Sequence, residues 1–236
     1  MRPYRYFDFI MAAFVAVLLV SNIASSAKII DWGVSIFGLH LSFDAGTLLF
    51  PLSYIFGDIL TEVYGYARSR RVIWAGFVAA LLMSLCFFVI QYLPGESTWQ
   101  EYAGDQAFGV ILGGVSSGGI IIASVLAYFL GEFSNSYILA KMKVWTSGKW
   151  LWTRTIGSTI VGEGVDTVVF MVVACLFGVF PWSIALSLIV ANYIFKVGIE
   201  AVFTPITYKI VGFLKRAENE DYYDRDTNFN PFRVSA

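Results

Sequence analysis

The stretch Phe50-Pro51-Leu52-Ser53-Tyr54-Ile55-Phe56-Gly57-Asp58-Ile59-Leu60-Thr61-Glu62-Val63-Tyr64-Gly65 decides how this chain is read. It is apolar enough for a bilayer, yet it holds two carboxylates. Tyr54, Asp58 and Glu62 recur at i, i+4 and i+8, which places them on one face of a helix. A charge in the bilayer interior costs about 2.5–3.5 kcal/mol on insertion scales, so such a stripe faces protein or water rather than lipid. The same pairing of apolar run and buried acid returns at Glu132, at Glu163 with Asp166, and at Glu200 with Lys196 one turn earlier. Six carboxylates and one lysine thus predict a polar interior inside an apolar bundle.

Composition points the same way. The 236 residues are 58% hydrophobic and 14% charged, against about 25% charged in soluble proteins, and the mean hydropathy is +0.70. The expected class is an all-α polytopic membrane protein, because a helix satisfies its own backbone in lipid. Six stretches approach the roughly 20 residues that a crossing needs: 7–27, 43–66, 72–93, 118–140, 156–179 and 183–211. They make one transmembrane domain over 1–216. The polar residues 217–236 lack a periodic apolar face and are expected to form a mobile tail. In the long connection 94–117, Phe108-Gly109-Val110-Ile111-Leu112 is expected to be a short re-entrant or interfacial segment. Arg2, Arg5, the run 9–20 and the small residues 24–27 imitate a signal peptide. They are read as a first membrane helix, because the later spans orient correctly with it retained.

Basic residues cluster at Arg2/Arg5, at Arg68/Arg70/Arg71, at Lys141/Lys143/Lys149/Arg154 and after Lys209. With six helices all four clusters fall on one side, which predicts both termini in the cytoplasm. The opposite loops carry Asp31, Glu96, Glu101 and Asp105, with Lys28 the basic exception. Asp58 lies ten residues before Arg68, Glu132 nine before Lys141, Glu163 nine after Arg154 and Glu200 nine before Lys209. At the helical rise these offsets are about 14 Å, near the middle of a core about 30 Å thick. Asn192, Lys196 and Glu200 share a face, as do Glu132 and Asn135. A polar ring near the midplane is where small-solute carriers hold cargo. The candidate substrate site is Asp58, Glu62, Glu132, Asn135, Glu163, Asp166, Asn192 and Lys196. Cross-helix bonding offers a purely structural alternative for each residue, but six acids and one base cannot all pair.

Other chemistry finds no motif. HExxH, GxSxG and the GxxxxGK[ST] phosphate loop are absent, His40 falls in an outer loop, and the Gly-rich 113–119 tract runs into an apolar span. Cys86 and Cys175 lie in apolar runs and read as buried thiols. No metal, cofactor or nucleic-acid partner is expected, and no enzymatic activity. Glu163 and Asp166 as acid and base of an intramembrane hydrolase remain the enzymatic alternative. Tyr54-Ile55-Phe56-Gly57-Asp58 is echoed by Tyr128-Phe129-Leu130-Gly131-Glu132 on a helix of the same direction, compatible with duplication or coincidence.

Residues 50–65 resemble the signature of the queuosine precursor transporter family. So do Gly131-Glu132-Phe133-Ser134-Asn135-Ser136-Tyr137, the stretches 154–158 and 162–167, and Asn192-Tyr193-Ile194-Phe195-Lys196. That family belongs to the vitamin uptake transporters, related in architecture to the substrate-binding subunits of energy-coupling-factor importers. The resemblance implies a six-helix protein of the bacterial cytoplasmic (inner) membrane that imports 7-cyano- or 7-aminomethyl-7-deazaguanine for queuosine salvage. Its partners would be that small molecule and the bilayer, with homo-oligomers left open. A deazaguanine edge offers N1–H and a 2-amino group, which suit a carboxylate such as Glu132 or Glu163. Lys196, Asn135 or Asn192 could donate to the 6-oxo group, with Asp58, Asp166 and Lys196 as the central polar network. Tyr54, Tyr128, Phe133, Phe170 and Tyr193 are candidate platforms for the ring. A separately energised substrate-binding subunit is the nearest alternative, followed by the enzyme and by a structural protein.

Overall fold

The computed structural model describes residues 4–36 and 39–233, so Arg2 lies outside the described residues. Helix α1 (Phe7–Ala27) runs from the end that carries the chain termini to the opposite end. There β1 (Ile29–Ile36) and β2 (Leu39–Asp44) pair as an antiparallel hairpin. A 3₁₀ turn, Ala45–Leu48, leads into α2 (Phe50–Tyr64). Gly65, at φ +84°, separates α2 from α3 (Tyr66–Gln91). The long connection folds into α4 (Ser97–Tyr102) and α5 (Gly104–Ser116). Then α6 (Gly118–Trp145), α7 (Leu151–Leu176) and α8 (Trp182–Glu218) complete the bundle.

The sequence placed the start of the second span at residue 43, but β2 and the 3₁₀ turn take residues 43–48. Asp44 fixes that boundary, because its carboxylate accepts from the Thr47 N–H and so caps the turn. Pro51 then occupies the first turn of α2, where its missing N–H leaves nothing unpaired. The 94–117 connection is more helical than expected. Its glycines do not stop α5, which is clasped to the end of α1 by Ser26: the hydroxyl accepts from Gly114 N at 2.9 Å and donates to Ile111 O at 2.8 Å.

Among the described residues, five segments are long and apolar enough to cross a membrane: Phe7–Ala27, Tyr66–Gln91, Gly104–Trp145 (α5 with α6), Leu151–Leu176 and Trp182–Glu218. Their outer faces present Leu81, Leu85, Val168, Val172, Leu186 and Val202, as lipid-facing surfaces do. The chain is a multi-pass helical membrane protein. Helix α2 is the exception, only 15 residues long and buried along nearly its whole length. It packs through Ile55, Ile59 and Val63 against Phe14 and Leu18 of α1 and Val211 of α8. The most polar helix is thereby kept from lipid.

The polar tail is docked rather than mobile. Tyr222 N donates to Val63 O at 3.2 Å, Asp224 accepts from the Tyr66 amide at 3.0 Å, and Trp74 Nε1 donates to Pro231 O at 2.8 Å. Phe232 stacks on Phe129 with ring centroids 5.8 Å apart. A side chain at Gly65 would collide with the Tyr222 ring, so this glycine serves both its positive φ and the docking of the strap. Segment 219–233 shows no periodic apolar face because it holds on through backbone groups and separate rings.

Candidate functional site

A cavity of about 220 Å³ opens between the helices in the half of the bundle nearer the hairpin. Tyr54 of α2, Tyr128 and Glu132 of α6, Asp166 and Phe170 of α7, and Asn192 and Lys196 of α8 line it. The ammonium of Lys196 lies 2.8 Å from Asp166 Oδ2 and 2.9 Å from Glu163 Oε2. Those acids stand at i and i+3 on α7, so one turn of helix presents both to one lysine. Two carboxylates leave that ammonium over-neutralised. Asn192 Nδ2 is bonded to Leu188 O, and its Oδ1 faces the Thr47 hydroxyl at 3.4 Å.

Glu132 differs from all of these. It is 1% exposed and neither carboxylate oxygen has a hydrogen-bond partner among the described residues. The Tyr54 hydroxyl on the same wall is also without one, whereas Tyr128 donates to Ile73 O at 2.9 Å. Glu132 Oε2 sits against α2 at Gly57, where an added Cβ would come within 3.1 Å of it. A buried carboxyl group normally finds donors, and Glu132 instead presents two acceptor oxygens with no protein donor at the cavity wall.

One helical turn further from the hairpin, the wall gives way to a closed layer. Asp58 of α2, Asn135 of α6 and Glu200 of α8 are each fully buried, and Asn135 Nδ2 donates to Asp58 Oδ1 at 2.7 Å. Another turn on, Glu62 leaves the cavity altogether. Arg154 holds it as a two-bond fork, Nε to Oε2 and Nη2 to Oε1, each at 2.7 Å. Lys215 donates to Oε1 at 2.6 Å and Lys143 stands 3.6 Å away. Asp221 of the strap joins the same two lysines.

The eight candidate residues therefore divide. Glu132, Asp166, Asn192 and Lys196 line the cavity, Glu163 reaches it through Lys196, Asp58 and Asn135 lie beneath it, and Glu62 belongs to an ion cluster at the terminal end. Of the proposed ring platforms, Tyr54, Tyr128 and Phe170 line the cavity; Phe133 packs with Tyr66 and Ile73 instead. Sequence reasoning missed the contribution of α1, whose Asn22 and Ser25 also face the cavity. Their signal was the polar, small-residue end of that span, which resembled a cleavage site. Among the described residues no group of three His, Cys, Asp or Glu side chains is placed to hold a metal ion.

Residues 44–210 match the sequence profile of a family described as "Putative vitamin uptake transporter". The chain is 28% identical over 186 residues to the "Queuosine precursor transporter" of Escherichia coli K12, covering 77% of each chain. It is 27% identical over 179 residues to the "Probable queuosine precursor transporter" of Bacillus subtilis 168, covering 74% of this chain and 73% of that one. A Haemophilus influenzae protein of the latter name is 26% identical over 174 residues, 70% of this chain and 67% of its own. No solved structure matches the chain. The profile spans most of the chain and runs through every residue lining the cavity from α2, α6, α7 and α8, so the chain belongs to the vitamin uptake transporters.

Proposed function

We propose that this protein imports 7-cyano- and 7-aminomethyl-7-deazaguanine across the bacterial cytoplasmic membrane, with the cavity as the substrate site. The reading takes six membrane crossings, α1, α2, α3, α6, α7 and α8, with both termini cytoplasmic and an architecture like that of energy-coupling-factor substrate-binding subunits. The cavity then opens from the outer half, and the Glu62 cluster closes the cytoplasmic half.

One observation carries the substrate assignment: the two unpartnered oxygens of Glu132 at the cavity wall. A deazaguanine edge presents two parallel N–H donors, the pattern that a carboxylate accepts as a pair. Glu163 is the weaker candidate for this role, since one of its oxygens already faces Lys196. Lys196 has three N–H donors and two carboxylate neighbours, which leaves one donor for the 6-oxo group. Tyr54, Tyr128 and Phe170 supply flat faces for the ring.

The test is thermal stabilisation of detergent-purified protein by each deazaguanine, with guanine and riboflavin as controls, and uptake by proteoliposomes containing this chain alone. Glu132→Gln removes one acceptor and the charge. A hydrogen bond to a charged group contributes about 1.5–3 kcal/mol, so binding should weaken roughly tenfold or more. Deazaguanine binding that survives Glu132→Gln undiminished sinks the assignment of that residue. Stabilisation by riboflavin alone sinks the substrate.

A further inference from the structure

The closed layer beneath the cavity has an electrostatic problem that no side chain in it solves. Asp58, Asn135 and Glu200 are all 0% exposed, and Glu200 stands within electrostatic reach of Asp58. The 2.7 Å bond from Asn135 Nδ2 to Asp58 Oδ1 joins two of these three side chains. Asp58 Oδ2, Asn135 Oδ1 and both oxygens of Glu200 have no hydrogen-bond partner among the described residues. Two carboxylates therefore share a fully buried layer without a cation. The nearest cations are committed elsewhere: Lys196 one turn above to Glu163 and Asp166, and Arg154, Lys143 and Lys215 below to Glu62 and Asp221.

Like charges so placed cannot both stay ionised in a low-dielectric interior. Surrounding groups do not relieve them. From α6 the layer meets Glu132, from α7 Glu163, and from α2 itself Glu62, while α1 and α3 turn Phe14, Leu18 and Ser69 toward α2. The amide supplies the independent clue. With its nitrogen fixed on Asp58, Asn135 has its oxygen left as a buried acceptor that calls for an O–H donor. A protonated carboxyl group in the layer is that donor. None of the three residues lines the cavity, which argues for a bare proton over a hydrated metal ion.

We infer that Asp58, Asn135 and Glu200 form a proton-binding site between the substrate cavity and the Glu62 cluster, loaded and unloaded as solute passes. The proton arrives from the outer aqueous side onto a carboxylate oxygen, the new O–H donates to Asn135 Oδ1, and the proton leaves to the cytoplasm with one solute. The layer sits on the three helices that also carry Tyr54, Glu132 and Lys196, so any shift that reopens it moves the cavity wall as well. The coupling rests on the transport reading above; the proton site does not.

Two measurements test them apart. Infrared difference spectra of the purified protein should show the C=O stretch of a protonated carboxylic acid, shifted down in D2O and weakened in Asp58→Asn, in Glu200→Gln and most in the double variant. A band unchanged in all three, or absent from wild type, overturns the site. In proteoliposomes, an inward proton gradient should speed uptake of the 7-aminomethyl or 7-cyano compound several-fold, with the ratio falling to one in either single variant. Wild-type uptake indifferent to the gradient overturns the coupling. Absence of uptake of both compounds, with the infrared band present and variant-sensitive, overturns the substrate reading and supports the proton site.

Discussion

Glu62 and Glu132 are the same residue type, equally buried, on helices that touch, and the molecule treats them in opposite ways. Glu62 receives two bonds from Arg154 and one from Lys215, with Lys143 close by. Glu132 receives none. Burial alone therefore says little about what a carboxylate is for; the count of donors aimed at it says a great deal. The saturated acid ties α2, α6, α7, α8 and, through Asp221, the strap into one closed end. The unserved acid leaves two acceptors at a cavity wall, at a cost to the fold that the proposed substrate site would explain.

The largest effect should come from breaking the saturated side. Arg154→Ala leaves Glu62 buried with its fork removed, a change that costs about 3–5 kcal/mol when a buried pair loses one partner. Melting of the detergent-purified protein should fall steeply, since Lys215 and Lys143 still answer the charge of Glu62 but cannot replace the two-bond fork. A small effect of Arg154→Ala alone would erase the contrast with Glu132. On the other side the sign reverses. Glu132→Gln should leave melting of the ligand-free protein unchanged or raise it, by up to about 1 kcal/mol, because an unsatisfied buried polar group costs about 1–3 kcal/mol. A drop as deep as that of Arg154→Ala would mean that Glu132 is structural.

This contrast was only half legible in the sequence. The helical stripe Tyr54, Asp58, Glu62 announces a polar face, but the common depth expected for Asp58, Glu132, Glu163 and Glu200 splits in the structure: Glu132 lines the cavity, while Asp58 and Glu200 lie one turn beneath it. Periodicity cannot say which acid on a stripe meets a cation, because Arg154 is 92 residues from Glu62 and was read as a topology signal. Hence the sequence alone groups Glu62 with the site residues. Docking of the strap was illegible for a different reason. Its anchors are the carbonyls of Asn228, Asn230 and Pro231 and single rings such as Phe232, and none of these leaves a period to detect. The start of α2 could have been found, since Asp44 three residues before Thr47 is a capping pattern followed by Pro51.

Gly57→Ala sharpens the comparison without touching a charge. The added Cβ would lie 3.1 Å from Glu132 Oε2, so the carboxylate has to give by a few tenths of an ångström. Alanine is favoured over glycine in a helix by about 1 kcal/mol, which offsets the crowding in the ligand-free protein. Melting should therefore stay within about 1 kcal/mol of wild type, while deazaguanine affinity falls several-fold as the acceptor pair is displaced. Unaltered affinity, measured by titration in detergent, would show that the position of Glu132 does not matter to the ligand.

The smallest effect belongs to the exposed margin of the saturated cluster. Burial opposes ionisation of Asp221, but its bonds to Lys143 at 2.5 Å and Lys215 at 2.8 Å outweigh that and hold its carboxyl below the usual carboxylate range. A depressed acid contributes stability above its unfolded value, near about 3.9, and that contribution is lost as pH falls through the folded value. Asp224 acts in the opposite sense: burial, only partly countered by the Tyr66 amide, pushes it up, so its contribution is present at low pH and fades as pH rises through the folded value. Since Asp221 is 43% exposed, solvent screens it, and the pair should contribute less than about 1 kcal/mol. Asp221→Asn should lower the hydrogen-exchange protection of the Tyr222 amide, bonded to Val63 O, a few-fold at pH 7 and flatten its loss in acid. Equal protection in both proteins at pH 7 would show that the strap is held by its rings and backbone bonds alone, and that only the buried Arg154–Glu62 fork fastens the closed end.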